Sequence, residues 1–254
     1  WVLGSMNTSK TTGDYILVVH DITQLRQLNS MRRDFISNLS HELRTPVSVI
    51  RANSETLLDG ALDNKKEAKT FARAILHNSE RLSVMVADLI DLSRIEYGDL
   101  KLNIKKIDLI SFMDDFVTSM KSVTKKKEIE IIFKSNHYDF VKADPQALER
   151  IMNNLVDNAF KYSEKGSIIE ISTITEHQHV KVMVSDSGVG VSDEDKSHIF
   201  DRFYRTASAR ASDNKGSGLG LAIVKNLTNS LNGEVGVESK NNAGSIFWFT
   251  LPIN

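Results

Sequence analysis

Between Thr23 and about Asp59 the apolar residues Leu25, Leu28, Phe35, Leu39, Leu43, Ile50 and Leu57 recur at intervals of three, four or seven positions. This spacing predicts one long amphipathic helix, which Gly60 should stop. A second run from about Asn64 to Tyr97 carries Phe71, Ile75, Leu82, Met85, Leu89 and Leu92 on one stripe and meets Gly98, as a helix C-terminus should. Together the two runs predict a long antiparallel hairpin. Each helix of such a hairpin buries one side only. Two copies could cover each other's stripes in a four-helix bundle, so a homodimer is expected. Upstream, the β-branched run Asp14–Ile22 predicts a strand.

Beyond Gly98 the pattern changes to short alternating elements. Strands are expected at Ile129–Lys134, Ser167–Thr175, Val180–Ser185, Glu234–Ser239 and Ser245–Leu251, with helices at Pro145–Phe160 and Leu219–Leu231. The last two strands, joined by Lys-Asn-Asn-Ala-Gly, make a plausible hairpin, so the sheet should be mixed and covered by helices. The fold class is therefore α+β and multidomain: a dimeric helical hairpin, then an α/β sandwich. Boundaries are expected at 31–98 for the hairpin, 99–108 for a hinge and 109–254 for the sandwich. Residues 206–216, small and polar, should form a mobile loop and a possible lid.

Length and composition narrow this only modestly. A chain of 254 residues with 41% hydrophobic and 26% charged residues suits two compact domains and not a disordered chain. With 32 Lys and Arg against 33 Asp and Glu, no global basic field draws it to nucleic acid, and direct nucleic-acid binding is not expected. The absence of cysteine excludes disulfides, thiol nucleophiles and cysteine zinc sites, and fits a cytoplasmic setting. No apolar run reaches the roughly 20 residues that cross a bilayer, so a membrane contact would need a segment upstream of this chain. Residues 1–6, Trp-Val-Leu-Gly-Ser-Met, read as a vector-derived remnant.

Within the first helix, Ser40-His41-Glu42-Leu43-Arg44-Thr45-Pro46 stands out. At about 100° per residue, Phe35, Ile36, Leu39, Leu43, Val47 and Ile50 fall opposite His41, while Thr45 lies about 40° and Glu42 about 100° away. His41 should face outward. A neutral imidazole keeps a lone pair able to attack phosphorus, and an adjacent carboxylate can orient it and act as general base. Pro46 suggests a tolerated kink, and simple bending of a long helix explains it equally.

Four further segments are individually weak. Asn154, Asn158 and Lys161 share one side of the helix that ends near Tyr162, where amide oxygens could ligate Mg²⁺ and lysine could balance phosphate. A polar outer face accounts for them as well. Asp186-Ser187-Gly188-Val189-Gly190 follows a strand; its aspartate could accept from an adenine amine, and an ordinary tight turn is the alternative. Gly216-Ser217-Gly218-Leu219-Gly220 precedes a helix whose N-terminus could cradle phosphates. It fits neither a P-loop nor a dinucleotide fingerprint. Phe200 and Phe203 suit core packing, whereas Arg205, beside the predicted loop, could reach a terminal phosphate.

Taken in order from about Met31 to Leu251, these segments resemble the sensor histidine kinases of two-component systems. Ser40–Pro46 is similar to the family's phospho-acceptor box, Asn154–Tyr162 to its asparagine box, Asp186–Gly190 and Gly216–Gly220 to its two glycine boxes, and Phe200–Arg205 to its phenylalanine box. The resemblance implies ATP and Mg²⁺ as cofactors, with His41 phosphorylated, Glu42 its base, and Thr45 placing a water for dephosphorylation of the partner. It also implies Asn154 as the Mg²⁺ ligand, Asn158, Lys161 and Tyr162 beside the nucleotide, and Asp186 as the adenine reader. Gly188, Gly190, Arg205, Gly216, Gly218 and Gly220 would complete the site. Ser187 departs from the asparagine common there. The implied partner is a response regulator receiver domain. Residues 7–30 resemble the end of a PAS sensor domain entering a signalling helix, the subgroup is closest to phosphate-responsive membrane kinases, and the full-length protein would be anchored in the inner or plasma membrane. Two rivals remain: an ATPase of the chaperone and mismatch-repair group, which needs no acceptor histidine, and a non-catalytic dimeric adaptor.

Overall fold

The computed structural model describes residues 1–8, 15–96, 98–135, 140–211, 216–239 and 244–253. It divides into two compact units, Trp1–Leu82 and Ser83–Asn254.

In the first unit, β1 (Val2–Thr8) pairs antiparallel with β2 (Tyr15–Asp21). The strand expected at Asp14–Ile22 is therefore present as β2. Its partner β1 comprises mainly residues set aside in the sequence as a remnant, so those residues do take part in secondary structure. Helix α1 (Thr23–Leu58) begins where Asp21 Oδ1 accepts from the Thr23 N–H at 2.8 Å, meeting one of the unsatisfied donors of the first turn. It continues through Pro46, whose ring is buried. Gly60 adopts φ 120° and ends the run, followed by a short 3-10 turn at Ala61–Asp63. Helix α2 (Lys65–Glu96) is started by Asn64, whose side-chain oxygen accepts from the N–H groups of Lys66 at 3.1 Å and Glu67 at 3.4 Å. Glu67 returns the contact by accepting from Asn64 Nδ2 at 3.0 Å, a reciprocal cap. Gly98 follows with φ 73°. Both helices fall within a residue or two of the lengths that periodicity predicts, and the boundary between the two units lies inside α2.

The second unit is a sheet under helices. After β3 (Lys105–Asp108), α3 (Leu109–Ser119) and α4 (Lys121–Lys127) come β4 (Glu130–Lys134) and β5 (Phe140–Ala143). Helix α5 (Pro145–Tyr162), β6 (Ile168–Glu176), β7 (His179–Asp186), α6 (Asp193–Lys196) and α7 (Ala207–Ala211) follow. Helix α8 (Gly220–Ser230), β8 (Val235–Ser239) and β9 (Ser245–Pro252) complete the chain of elements. The main sheet has the order β4-β6-β7-β9-β8, parallel between β4 and β6 and antiparallel elsewhere, so it is mixed as expected. A second sheet pairs β3 with β5. On the main sheet Ile169, Ile171, Val180, Val182, Val184, Phe247, Phe249 and Leu251 are buried at alternate positions, the period-two signature of a strand with one covered face. Leu148, Ile151, Met152, Leu155 and Val156 of α5 and Ala222, Ile223, Val224 and Leu227 of α8 supply the buried helical side.

Three expectations change. Residues 105–108, read as part of a hinge, are β3, because their backbone pairs with β5. Helices α3 and α4 were not predicted. Residues 206–216 were read as a loop without an element, yet Ala207–Ala211 is a short helix with Ala209 buried; residues 212–215 lie outside the described ones, as do Lys240–Ala243 of the β8–β9 connection.

One carboxylate joins several of these pieces. Asp144 is 7% exposed, and its oxygens accept from the backbone N–H groups of Gln146 at 2.8 Å, Ala147 at 3.0 Å and Asn103 at 2.6 Å. It caps α5 and ties the segment before β3 to it. Burial alone would raise its pKa, but the three N–H donors and Lys105 more than offset this and hold it below the ordinary value. Its stabilisation is thus present above the unfolded pKa and is lost as pH falls through the lower folded value. Asp144→Ala should cost about 2–3 kcal/mol in urea unfolding at pH 7, and the gap to the wild type should shrink below about pH 4; a loss that does not change with pH would contradict the carboxylate's role.

Candidate functional site

The first cluster lies in the Trp1–Leu82 unit. His41 is exposed on α1, as the helical wheel requires, and its ring has no hydrogen-bond partner among the described residues. Thr45, one turn on, is also exposed and donates its hydroxyl to the His41 carbonyl at 3.3 Å. Leu39, Leu43 and Ile50, on the opposite side, are half-buried, yet Ile36 and Val47 remain 52% exposed. The apolar side of a single hairpin is therefore only partly covered. Glu42 is turned towards α2: its Oε2 accepts from Arg81 Nη2 at 3.1 Å, with Arg81 at 15% and Glu42 at 29% side-chain exposure. The Arg81 Nε is buried and has no hydrogen-bond acceptor among the described residues. Sequence reasoning missed Arg81. The available signal was a basic residue flanking the apolar stripe beside the buried Asn78.

The second cluster lies in the Ser83–Asn254 unit, where all four weak segments meet. Asn154 Nδ2 donates to the Arg150 carbonyl one turn earlier at 2.8 Å. Its Oδ1 faces Gly220, where a Cβ would stand only 2.7 Å from it. A Cβ on Gly216 would lie 4.0 Å from Lys161 Nζ, and one on Gly188 would collide with the Tyr162 carbonyl oxygen at 2.6 Å. Gly218, at φ 71°, has room for no side chain against the Phe203 backbone 2.8 Å away, and its carbonyl accepts from Phe203 N–H at 2.9 Å. Substitution there would combine backbone strain with a clash. Gly190 also has positive φ, at 75°. Asn158 is half-buried one turn beyond Asn154. Arg205 donates to the Ala209 carbonyl of α7 and is electrostatically coupled to Tyr162. Phe200 and Phe203 are half-buried and Ser187 is exposed.

Asp186 ends β7. Burial pushes its carboxyl above the ordinary aspartate range, opposed by hydrogen bonds from the N–H groups of Gly188, at 2.8 Å, and Ser245. Burial likewise raises the Tyr162 phenol, opposed by Arg205. A carboxylate kept half-dry at a strand end, with free acceptor capacity, suits recognition of an amine donor in a purine. Among the described residues no group of three or more His, Cys, Asp or Glu could hold a metal. Mg²⁺ does not need one, since it is commonly held by one protein oxygen together with substrate phosphates and water. Asn154 Oδ1, between α5 and the Gly216–Gly220 loop, fits that requirement. A second residue missed from sequence is Asp88 on α2, whose Oδ1 accepts from Arg150 Nη2 at 2.5 Å. A separate depression of about 640 Å³, lined in part by Lys142, His177, His179 and Ile253, contains none of these groups.

Comparison with known proteins identifies two family domains along the chain. Residues 31–98 match the His Kinase A (phospho-acceptor) domain, and residues 143–254 match the histidine kinase-, DNA gyrase B-, and HSP90-like ATPase domain. The chain is 35% identical over 237 residues to the sensor-like histidine kinase SenX3 of Mycobacterium tuberculosis (strain ATCC 25618 / H37Rv), covering 93% of this chain and 58% of that protein. It is 33% identical over 240 residues to the sensor histidine kinase WalK of Bacillus subtilis (strain 168), covering 93% and 39%. The chain thus spans roughly half the length of these relatives. Among solved structures, the Acinetobacter baumannii histidine kinase AdeS superposes with a TM-score of 0.69 at 25% identity over 84% of this chain and 98% of that one. Histidine kinase ThkA, in complex with response regulator protein TrrA, shares the fold with a TM-score of 0.73 at 22% identity over 100% and 75%. Among the described residues no helix is long and apolar enough to cross a membrane.

Because its folded pKa is raised, the Asp186 carboxyl favours the folded state at low pH, and that contribution is lost as pH rises through the folded value. Asp186→Asn, which keeps an oxygen to accept from Gly188, should therefore melt at or above the wild-type temperature at pH 7. Its advantage should narrow as pH falls towards 4. A variant that melts several degrees lower at pH 7 would show that the carboxylate is retained for the fold.

Proposed function

Because this chain belongs to the sensor histidine kinases of two-component systems, we propose that it binds ATP in the cleft formed by α5, Asp186–Gly190 and Gly216–Gly220. It then transfers the γ-phosphoryl group to His41 and passes it to an aspartate of a response regulator receiver domain. The observation that carries this reading is the pairing, in one chain, of a solvent-facing imidazole with a glycine-lined cleft containing Asn154, Lys161 and Asp186. An ATPase of the chaperone and mismatch-repair group would need the cleft but has no use for the histidine.

In this mechanism Asp186 reads the adenine amine, and Lys161, Arg205 and the amides of Gly216–Gly220 bind the phosphates. Bound Mg²⁺ would neutralise charge on the phosphate oxygens, with Asn154 as its protein ligand. The protein contributes mainly position. A lone pair of His41 forms the N–P bond as the bond between the γ-phosphorus and the ADP oxygen breaks, and the imidazole proton passes to Glu42, which Arg81 holds nearby. Thr45, exposed on the same side of α1, would orient a water that attacks the regulator's aspartyl phosphate, breaking the bond from phosphorus to the aspartate oxygen and releasing inorganic phosphate. The uncovered Ile36 and Val47 support a homodimer in which a second hairpin completes the bundle. An upstream segment would anchor the full-length protein to the membrane.

His41→Gln should abolish incorporation of label from γ-labelled ATP while nucleotide still binds, and wild-type label should be lost in acid as phosphohistidine is; persistent or acid-stable labelling would refute the assignment. Asn154→Ala should slow labelling at limiting Mg²⁺ by at least about tenfold. Equal rates across a Mg²⁺ titration would remove its ligand role.

A further inference from the structure

Two carboxylates among the described residues are almost fully buried, Asp144 and Asp88. Capping accounts for Asp144. Asp88, 6% exposed on the Ser83–Glu96 part of α2, caps no helix. Its Oδ1 accepts from Arg150 Nη2 at 2.5 Å, and the same nitrogen lies 3.3 Å from Asp91 Oδ2. Arg150 belongs to the nucleotide-site helix, since its carbonyl receives the Asn154 amide one turn on. The Ser217 hydroxyl and the Lys161 ammonium also act on the Asp88 carboxyl, both favouring its charged form against the burial that opposes it. Those two groups are on opposite walls of the cleft, Ser217 in the Gly216–Gly220 loop and Lys161 beside Gly216. The buried carboxylate thus faces Arg150, Lys161 and Ser217, the kind of cationic and hydroxyl set that a phosphate requires.

The plainer reading is an ion pair that only holds α2 to α5. Several features argue against it. The pair is poorly satisfied, because Arg150 Nε is buried without an acceptor among the described residues. A second carboxylate, Asp91, crowds the same arginine, and burial raises the Asp88 pKa despite Arg150 and Lys161. A static contact between two elements is usually served as well or better by apolar side chains.

We infer that Asp88 is an internal stand-in for a nucleotide phosphate, an autoinhibitory contact that keeps this part of α2 docked on α5 until the triphosphate tail takes Lys161 and Ser217 from it. The inference rests on the nucleotide reading of the cleft. By reciprocity, whatever pulls α2 away raises nucleotide affinity, and nucleotide loosens α2 by the same factor. A signal that moves α2 would thereby reach the nucleotide site directly.

The test compares the full chain with its Asp88→Asn variant, which keeps the shape and removes the charge, by calorimetric titration with the Mg²⁺ complex of a non-hydrolysable ATP analogue. Binding should tighten about five- to tenfold in the variant; unchanged or weaker binding would overturn the inference. If the wild type bound no nucleotide at all, the cleft reading itself would fail, which is a separate outcome. A second measurement guards against a folding defect in that variant. In the unsubstituted chain, hydrogen exchange of the Ser83–Glu96 backbone amides should speed up when the analogue is added, and exchange indifferent to the analogue, or slowed by it, would equally overturn the contact's role.

Discussion

The nucleotide cleft depends on the 3.6-residue phase of α5. With Asp144 capping its start, the helix commits Leu148, Ile151, Met152, Leu155, Val156 and Ala159 to the buried side. Asn154, Asn158 and Lys161 then fall together on the other side, and none can move without rotating the apolar set out of the core. The three glycine positions that touch this helix complete the cleft from the opposite direction. Gly188 lets the chain after β7 lie against the Tyr162 carbonyl, while Gly220 and Gly216 bring α8 and its preceding loop to Asn154 and Lys161. The absence of side chains at these glycines is thus what gives the cleft its shape, and packing and ligand chemistry are served by the same atoms.

The hairpin works by a different division. The outward face of α1 carries His41 and Thr45, and the flank carries Glu42, tethered across to Arg81. An ion pair this well screened from water on one side is worth more as a positional constraint than as a source of stability. It fixes where the carboxylate adjacent to the histidine can reach. Pro46, buried one turn later, removes the backbone donor that would otherwise close the helix onto the Glu42 carbonyl.

Much of this was legible in sequence because it is local. Long amphipathic repeats give α1 and α2, and alternating apolar runs give β6, β7 and β9. Four-residue β3 and β5 escaped because Lys105, Lys106 and Lys142 break any apolar alternation, and both are held by pairing between segments more than 30 residues apart. Helix α3 left a readable trace: Asp108 capping Ile110 and Ser111, with Leu109, Met113 and Phe116 at helical spacing. Candidate site residues inside motifs were readable, since motifs are contiguous. Arg81 and Asp88 were not, because their meaning lies in partners 39 and 62 residues away in sequence, and a charge flanking an apolar stripe does not say which partner it meets.

The order β4-β6-β7-β9-β8 has a consequence for how the protein is made. β9, the last of these five strands in chain order, is an interior one, bonded on both sides, and its Ser245 lies directly opposite Asp186. On the ribosome the helical hairpin can form early from near-neighbour contacts, while the sheet stays split, with β7 exposing an unpaired edge, until β9 emerges. The helix that carries His41 therefore exists before the cleft around α5, Asp186 and Gly220 is complete, and a nascent chain cut short before β9 carries the hairpin without a finished sheet.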